Sequence, residues 1–314
     1  MKTAIIGPGA LGSLFAASLA AHTNLAAGDG PGLWLVDHRR ERADLLNRKG
    51  IILEENGRQT AFSIPVTAEP ATIGTVDLAL LCVKSNDVKS GLAQAAPMLG
   101  QGSLLIALQN GIGHLGLLDS LQAPAAVAIG VTAQGANLAA PGHVRHAGVG
   151  VTRIGFTGRQ SAEAVQMLHQ AAALLTSGGI ETETTDDIIN FVWTKLLVNV
   201  GINALTAILD CPNGMLAEPG QAREQLTAAV REAAAVARAK GISIDGDPVA
   251  NTIAISRATG SNISSMLQDV RNRRRTEIDA INGALVAEGR RLNIPVPVNE
   301  ELVRRVKEIE RGYQ

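Results

Sequence analysis

The sequence predicts an α/β fold, with an N-terminal doubly wound sheet followed by an all-α C-terminal domain, and three observations carry that expectation. First, Thr3-Ala4-Ile5-Ile6 is a short apolar run suited to a buried strand; Gly7, Gly9 and Gly12 follow in G-x-G-x-x-G spacing, and an Ala- and Leu-rich segment comes next. Strand, glycine turn and helix in that order open a Rossmann-like unit. Second, short apolar runs recur up to Thr182 with helical and turn segments between them. Third, from Asp186 onward helix follows helix with no convincing strand. The expected boundary divides the chain into residues 1–185, a dinucleotide-binding domain, and 186–314, a helical domain.

Each glycine of the opening turn has a task. Gly7 permits the tight turn, Gly9 lets the backbone approach a pyrophosphate, and Gly12 lets helix and strand pack closely. Pro8, Ala10 and Leu11 complete the turn, and the helix N-terminus supplies N–H donors. A dinucleotide is expected there. The bland alternative, a glycine-rich turn without a ligand, is weakened by the motif's place directly after the first strand.

Composition narrows the classes. The 314 residues are 46% hydrophobic and 18% charged, enough for two cores and unlike a disordered chain. A net charge of −1, with two Trp, one Tyr and four Phe, offers neither an electrostatic footprint nor a stacking platform, so no nucleic-acid partner is expected. Cys82 and Cys211 stand far apart in apolar surroundings, as reduced thiols in a cytoplasmic protein would. No stretch reaches the roughly 18 uninterrupted apolar residues of a membrane span, so neither a membrane partner nor export is expected.

In chain order, a Gly- and Ala-rich loop from Asn24 to Gly32 precedes a second strand, Leu33 to Val36, which ends at Asp37-His38-Arg39-Arg40. At that tip an acidic residue bonds the ribose 2′-hydroxyl of NAD, whereas an arginine accommodates the 2′-phosphate of NADP. Asp37 speaks for the first and His38, Arg39 and Arg40 for the second; a solvated helix start is the plain alternative for the arginines. Strands are expected near Thr60 to Val66, at Val76 to Val83 with Lys84 at its end, and at Ser103 to Leu108, which empties into Gln109-Asn110-Gly111. Lys84 and Asn110 thus stand at carboxyl ends of strands, where open α/β sheets bind ligands. Val127 to Val131 and Val144 to Ile154 should extend the sheet, with His143 and His146 as hairpin or edge residues rather than metal ligands; no metal site is expected. A helix from Ser161 to Ser177 and a strand near Ile180 to Thr182 close this part.

The helical part opens with a helix capped by Asp186 or Asp187. Along it Lys195, Asn199 and Asn203 fall at i, i+4 and i+8 and share one face. Burying such groups unpaired costs on the order of 1–3 kcal/mol for each amide and more for the charge, so they either satisfy one another or line a ligand cleft. A turn at Cys211-Pro212-Asn213-Gly214, a helix from Gln221 to Lys240, a longer one from Pro248 and a final amphipathic helix from Asn299 complete the expected order.

The motifs Gly7-Pro8-Gly9-Ala10-Leu11-Gly12, Val83-Lys84, Gln109-Asn110-Gly111, Trp193 through Asn203, Cys211-Pro212-Asn213-Gly214, Asn262 through Asp269 and Arg275-Thr276-Glu277-Ile278-Asp279 run in order over nearly the whole chain. In these the sequence resembles the ketopantoate reductase (2-dehydropantoate 2-reductase) family. The resemblance implies hydride reduction of the 2-oxo group of 2-dehydropantoate to (R)-pantoate, for pantothenate and coenzyme A synthesis, in a cleft between the two domains. It puts the catalytic acid on Lys195, with Glu277 ordering it, and substrate contacts on Asn110, Asn199, Asn203, Asn213, Asn262 and Ser265. Lys84, Asn110, Ala136 and Glu277 match positions that contact or orient the cofactor. A homodimer is compatible with this family.

The chain departs from the family at the tip of its second strand, where His38 stands in place of an arginine and Asp37 precedes it. NADP(H) is the expected cofactor on the family pattern and the basic cluster, with Arg39 able to take over, and Asp37 keeps NAD(H) open. The alternatives are a related NAD(P)-dependent reductase of another small 2-oxo or 3-hydroxy acid, a non-catalytic dinucleotide-sensing protein, and a structural dimerisation domain at the C-terminus.

Overall fold

The computed structural model describes residues 1–23, 32–119 and 124–313; the expected loop from Asn24 lies, as far as Pro31, outside the described residues. These form two compact units, one of residues 1–109 and 117–188, the other of residues 110–116 and 189–314. The expected boundary after residue 185 took no account of the short segment 110–116, which belongs with the helical unit.

The first unit alternates strands and helices: β1 (Thr3–Ile6), α1 (Ala10–His22), β2 (Leu33–Val36), α2 (Arg40–Lys49), β3 (Ile51–Glu55), β4 (Arg58–Phe62), β5 (Val66–Thr67), β6 (Leu78–Leu81), α3 (Val88–Ala95), β7 (Leu104–Ala107), α4 (Leu115–Asp119), β8 (Ala126–Thr132), β9 (Gly135–Ala140), β10 (His143–Gly148), β11 (Thr152–Gly155), α5 (Ala162–Ser177) and β12 (Thr182–Thr184). Eight strands make the main sheet in the order β12-β11-β8-β7-β6-β1-β2-β5, parallel except where β11 meets β8. The order reverses between β1 and β6, whose Ile6 and Leu81 are paired, so the carboxyl ends of these two strands border the point where such sheets bind ligands.

The remaining strands form a second sheet, β4-β3-β10-β9, and here the structure corrects the sequence. The run near Thr60 to Val66 is split. Its first half pairs with β3 in a hairpin about Asn56-Gly57, both at positive φ, as such tight turns require. Val144 to Ile154 does not extend one sheet: β10 joins β3 and β9, and only β11 enters the main sheet. The reason lies in α1, which has no polar face. Gly12 through Leu19 are all buried, because α1 packs against β2 of the main sheet and against β3, β9 and β10 of the second. A helix apolar all round needs cover on both sides. His143 and His146 belong to this second sheet and bond Glu54 at 3.1 Å and Glu55 at 2.7 Å.

The second unit is helical: α6 (Ile188–Leu209), α7 (Gln221–Ala239), α8 (Pro248–Ala258), α9 (Ser265–Arg271), a π-helical turn at Asp279–Gly283, α10 (Ala284–Arg291) and α11 (Pro297–Arg311). The helix from Pro248 is shorter than α7, not longer, with 11 residues against 19. By length and composition α6 could cross a membrane, yet 67% of its apolar stretch is buried inside the unit, where Trp193, Leu196, Leu197, Val200 and Leu205 form its core.

Candidate functional site

The expected site residues fall into two groups, one in each unit. In the first unit β1 runs into Gly7 at φ 95°, a left-handed backbone that a side chain would strain. A Cβ on Gly7 would also press on Val83 Cγ1 at 2.8 Å, and one on Gly12 would run into the Gly7 carbonyl oxygen. At Gly9 a Cβ would meet nothing within 4 Å. Two glycines therefore serve packing and the third leaves open space over the start of α1. That helix has no side-chain cap and no acidic residue in its first turn, so its terminal N–H groups and positive dipole end stay available to an anion. The turn fits the pyrophosphate of a dinucleotide. Lys84 is half-buried just past the end of β6, and Gln109 holds that strand end by donating to the carbonyls of Leu81 at 2.7 Å and Val83 at 3.0 Å. Ala136 lies on β9 and packs against the core of this unit.

The tip of β2 is arranged differently from either simple expectation. Asp37 is 1% exposed. One carboxylate oxygen accepts from the Arg39 amide at 3.0 Å and from Arg42 at 2.7 Å, and the other accepts from Arg42 Nε. Arg40 pairs with Glu69, while His38 and Arg39 are exposed and bond each other at 3.2 Å. Arg42, five residues on and in the first turns of α2, reads in the sequence as part of a solvated helix start with Arg39 and Arg40; here it is instead the charged partner of Asp37.

In the second unit Lys195, Asn199 and Asn203 follow one another along α6. Lys195 keeps some contact with solvent, but the protein packed around its ammonium pushes the pKa down from 10.5 to about 8, against a smaller upward pull from the Glu277 charge. Glu277, 9% exposed, is held by its neighbours: Thr276 donates from N and Oγ1 to Glu310 at 2.8 and 2.7 Å. The π-helical turn that follows is tied to α6 by Asn282, which donates to the Val200 carbonyl at 3.3 Å and to Asn299 at 3.0 Å. Such turns widen a helix locally and free its carbonyls. Ala280 uses its carbonyl to accept from Ile112 N at 3.0 Å and Gly113 N at 3.3 Å, docking the segment that carries Asn110. Asn110 in turn donates to Glu277 Oε2 at 3.1 Å.

The other expected residues gather further along α6. Thr206 bonds Ser264 at 2.7 Å, Ser264 caps α9 by accepting from Leu267 N at 3.1 Å, and Ser265 is exposed as the first residue of that helix. Asn213 and Asn262 meet through a 3.0 Å backbone bond, with the Asn213 amide donating to Thr259 at 3.0 Å. Asn262 is exposed and Asn203 only 6% so. Asn199 Nδ2, Asn213 Oδ1 and both ring nitrogens of His114 are buried without a hydrogen-bond partner among the described residues. Unpaired polar groups at that depth are what a polar ligand or ordered water would satisfy. Thr206 and His114 are not singled out in the sequence, and Ser264 is there only as part of the Asn262-through-Asp269 motif.

Over residues 3–158 the chain matches the family described as ketopantoate reductase PanE/ApbA, and over 187–310 the C-terminal part of the same family. The chain belongs to the ketopantoate reductase family. Among relatives, it is 36% identical over 303 residues, 95% of each chain, to a 2-dehydropantoate 2-reductase from Halobacterium salinarum. Among solved structures, a ketopantoate reductase of this family from Ralstonia eutropha JMP134 covers 100% of both chains at 33% identity with a TM-score of 0.86. A D-mandelate dehydrogenase solved with NADH and anilino(oxo)acetate superposes at 0.88 and 27% identity over 100% of this chain and 99% of its own. The α/β unit followed by a helical one is thus the architecture of a ketopantoate reductase.

Proposed function

We propose that this chain is a 2-dehydropantoate 2-reductase that gives (R)-pantoate, with Lys195 as its proton donor. The observation that carries this reading is the match to the reductase family over nearly the whole chain, with Lys195 set beside Asn199 and Asn203 along α6; burial lowers the pKa of the Lys195 ammonium to about 8 against a smaller upward pull from the Glu277 carboxylate. A nicotinamide dinucleotide, when bound, supplies the hydride that reduces the 2-oxo carbon. Negative charge then develops on the carbonyl oxygen, where the Lys195 ammonium stabilises it and gives up a proton; the lysine is recharged from solvent. A lysine near 8 is a better acid at neutral pH than one at 10.5 and is still mostly charged. Asn199, Asn203, Asn213, Asn262 and Ser265 supply the hydrogen bonds for the carboxylate and hydroxyl of the substrate, and Glu277 and Asn110 orient the acid.

NADPH is the proposed reductant. The Asp37 carboxylate is already occupied by Arg42 and the Arg39 amide, which leaves little capacity for a ribose 2′-hydroxyl, while Arg39 is an exposed cation, with the exposed His38 ring beside it, suited to a 2′-phosphate. The glycine turn and Lys84 hold the rest of the dinucleotide. The two cysteines, both free thiols, agree with a cytoplasmic setting.

The decisive experiment is steady-state turnover of 2-dehydropantoate with NADPH and with NADH. Turnover with neither removes the reading; a larger specificity constant with NADH removes the cofactor assignment alone. Because one structural relative is a mandelate dehydrogenase, an aromatic 2-oxo acid belongs in the same assay, and preference for it would move the substrate assignment to that class.

A further inference from the structure

His114 is a buried titratable group that the reaction above leaves unused. It is 2% exposed, and neither ring nitrogen has a hydrogen-bond partner among the described residues. A neutral imidazole carries one donor and one acceptor, so both capacities are unmet in a place where water outside the protein cannot reach them. Burial holds the ring neutral, lowering its pKa to about 4 against an upward pull from the Glu277 charge.

Its position is set by backbone. Asn110 opens the segment that His114 ends, and the segment is docked on the Ala280 carbonyl by Ile112 N and Gly113 N. A Cβ on Gly111 would run into that same carbonyl oxygen, and Gly113 would bring one to 3.0 Å from Ala280 Cα, so two glycines allow the close approach. One side chain of the segment, Asn110, bonds Glu277 directly; the other, His114, feels its charge. The docking on Ala280, three residues after Glu277, and the Asn110–Glu277 bond place this unsatisfied imidazole in the neighbourhood of a buried carboxylate, where an ordered water would link the two.

We propose that His114 is a positioning residue: through a bridging water its neutral ring holds the Glu277 carboxylate in the orientation that Lys195 requires. The assignment rests on the reductase reading, and it gives His114 no contact with substrate or cofactor. The ring keeps Glu277 from turning away from the ammonium, in the way outer partners fix the ligands of a reactive centre.

The test compares three variants with the wild-type enzyme in 2-dehydropantoate turnover and thermal unfolding. His114→Leu keeps volume and removes both hydrogen-bonding atoms; it should lower kcat about tenfold or more, leave both KM values within about twofold, and hold or raise Tm. His114→Asn carries an amide where Nδ1 was and His114→Gln where Nε2 was; one of them should retain kcat within about threefold and so name the nitrogen that holds the water. A Leu variant with wild-type kcat, a loss confined to KM, or equal losses in all three variants would overturn the proposal. Failure of the wild-type enzyme to turn over 2-dehydropantoate would instead remove the reductase reading, so the two failures are distinguishable.

Discussion

Asn110 donates a 3.1 Å hydrogen bond to Glu277 although 167 positions separate them in sequence. The bond exists because the π-helical turn after Glu277 leaves the Ala280 carbonyl free to receive the Asn110 segment. Two polar residues far apart in sequence, Asn110 and Glu277, are thereby held together.

Gly111→Ala tests that docking. At φ 82° the left-handed backbone alone would cost roughly 1–2 kcal/mol, and the new Cβ would push against the Ala280 carbonyl oxygen. Lower Tm and a lower kcat should appear together, measured by thermal denaturation and steady-state kinetics. A Gly111→Ala enzyme equal to wild type in both would show that the docking is unimportant.

Lys195→Ala should reduce kcat by about 10²–10⁴, the usual contribution of a positioned acid, while dinucleotide affinity changes little. The glycine turn belongs to the other unit and is untouched. Calorimetric titration with the dinucleotide, run beside the turnover assay, separates the two effects; near wild-type turnover would refute the assignment.

The pH profile follows from the Lys195 shift. The acid must be charged to act, so kcat should fall as pH rises through about 8. Glu277 raises that pKa, so Glu277→Gln should move the fall to lower pH. Stability runs the other way. Between about 8 and 10.5 the unfolded chain holds a proton on this lysine that the folded chain has lost, so its contribution to stability rises with pH, on the order of 3 kcal/mol in total. Chemical denaturation of wild type and Lys195→Met across that window should differ by this slope, and parallel curves would contradict it.

Asp37→Asn should destabilise the fold by roughly 1–3 kcal/mol, since it leaves Arg42 short of a charged partner beside a buried amide, without a large gain in NADPH use. Arg39→Ala, at an exposed position, should weaken NADPH binding and spare NADH. An Asp37→Asn enzyme of wild-type Tm with strongly improved NADPH kinetics would mean that the carboxylate faces the cofactor.

Features encoded within a few residues are legible in the chain. Gly7 and Gly12 are dictated by backbone sterics, the strands Thr3–Ile6 and Leu33–Val36 by apolar runs, and the shared face of Lys195, Asn199 and Asn203 by the 3.6-residue period of a helix. Which distant groups meet depends on the packing of elements far apart in the chain. The second sheet was invisible because β3 and β10, parallel neighbours about ninety residues apart, pair in order to cover α1. The orientation of Asp37 was undecided because two arginines and a helix start compete for one carboxylate, and burial settles that contest in favour of Arg42. His114 gave no signal at all: a buried imidazole and an exposed one are the same letter, and its surroundings come from Ala280 and Glu277, which chain topology alone brings to it.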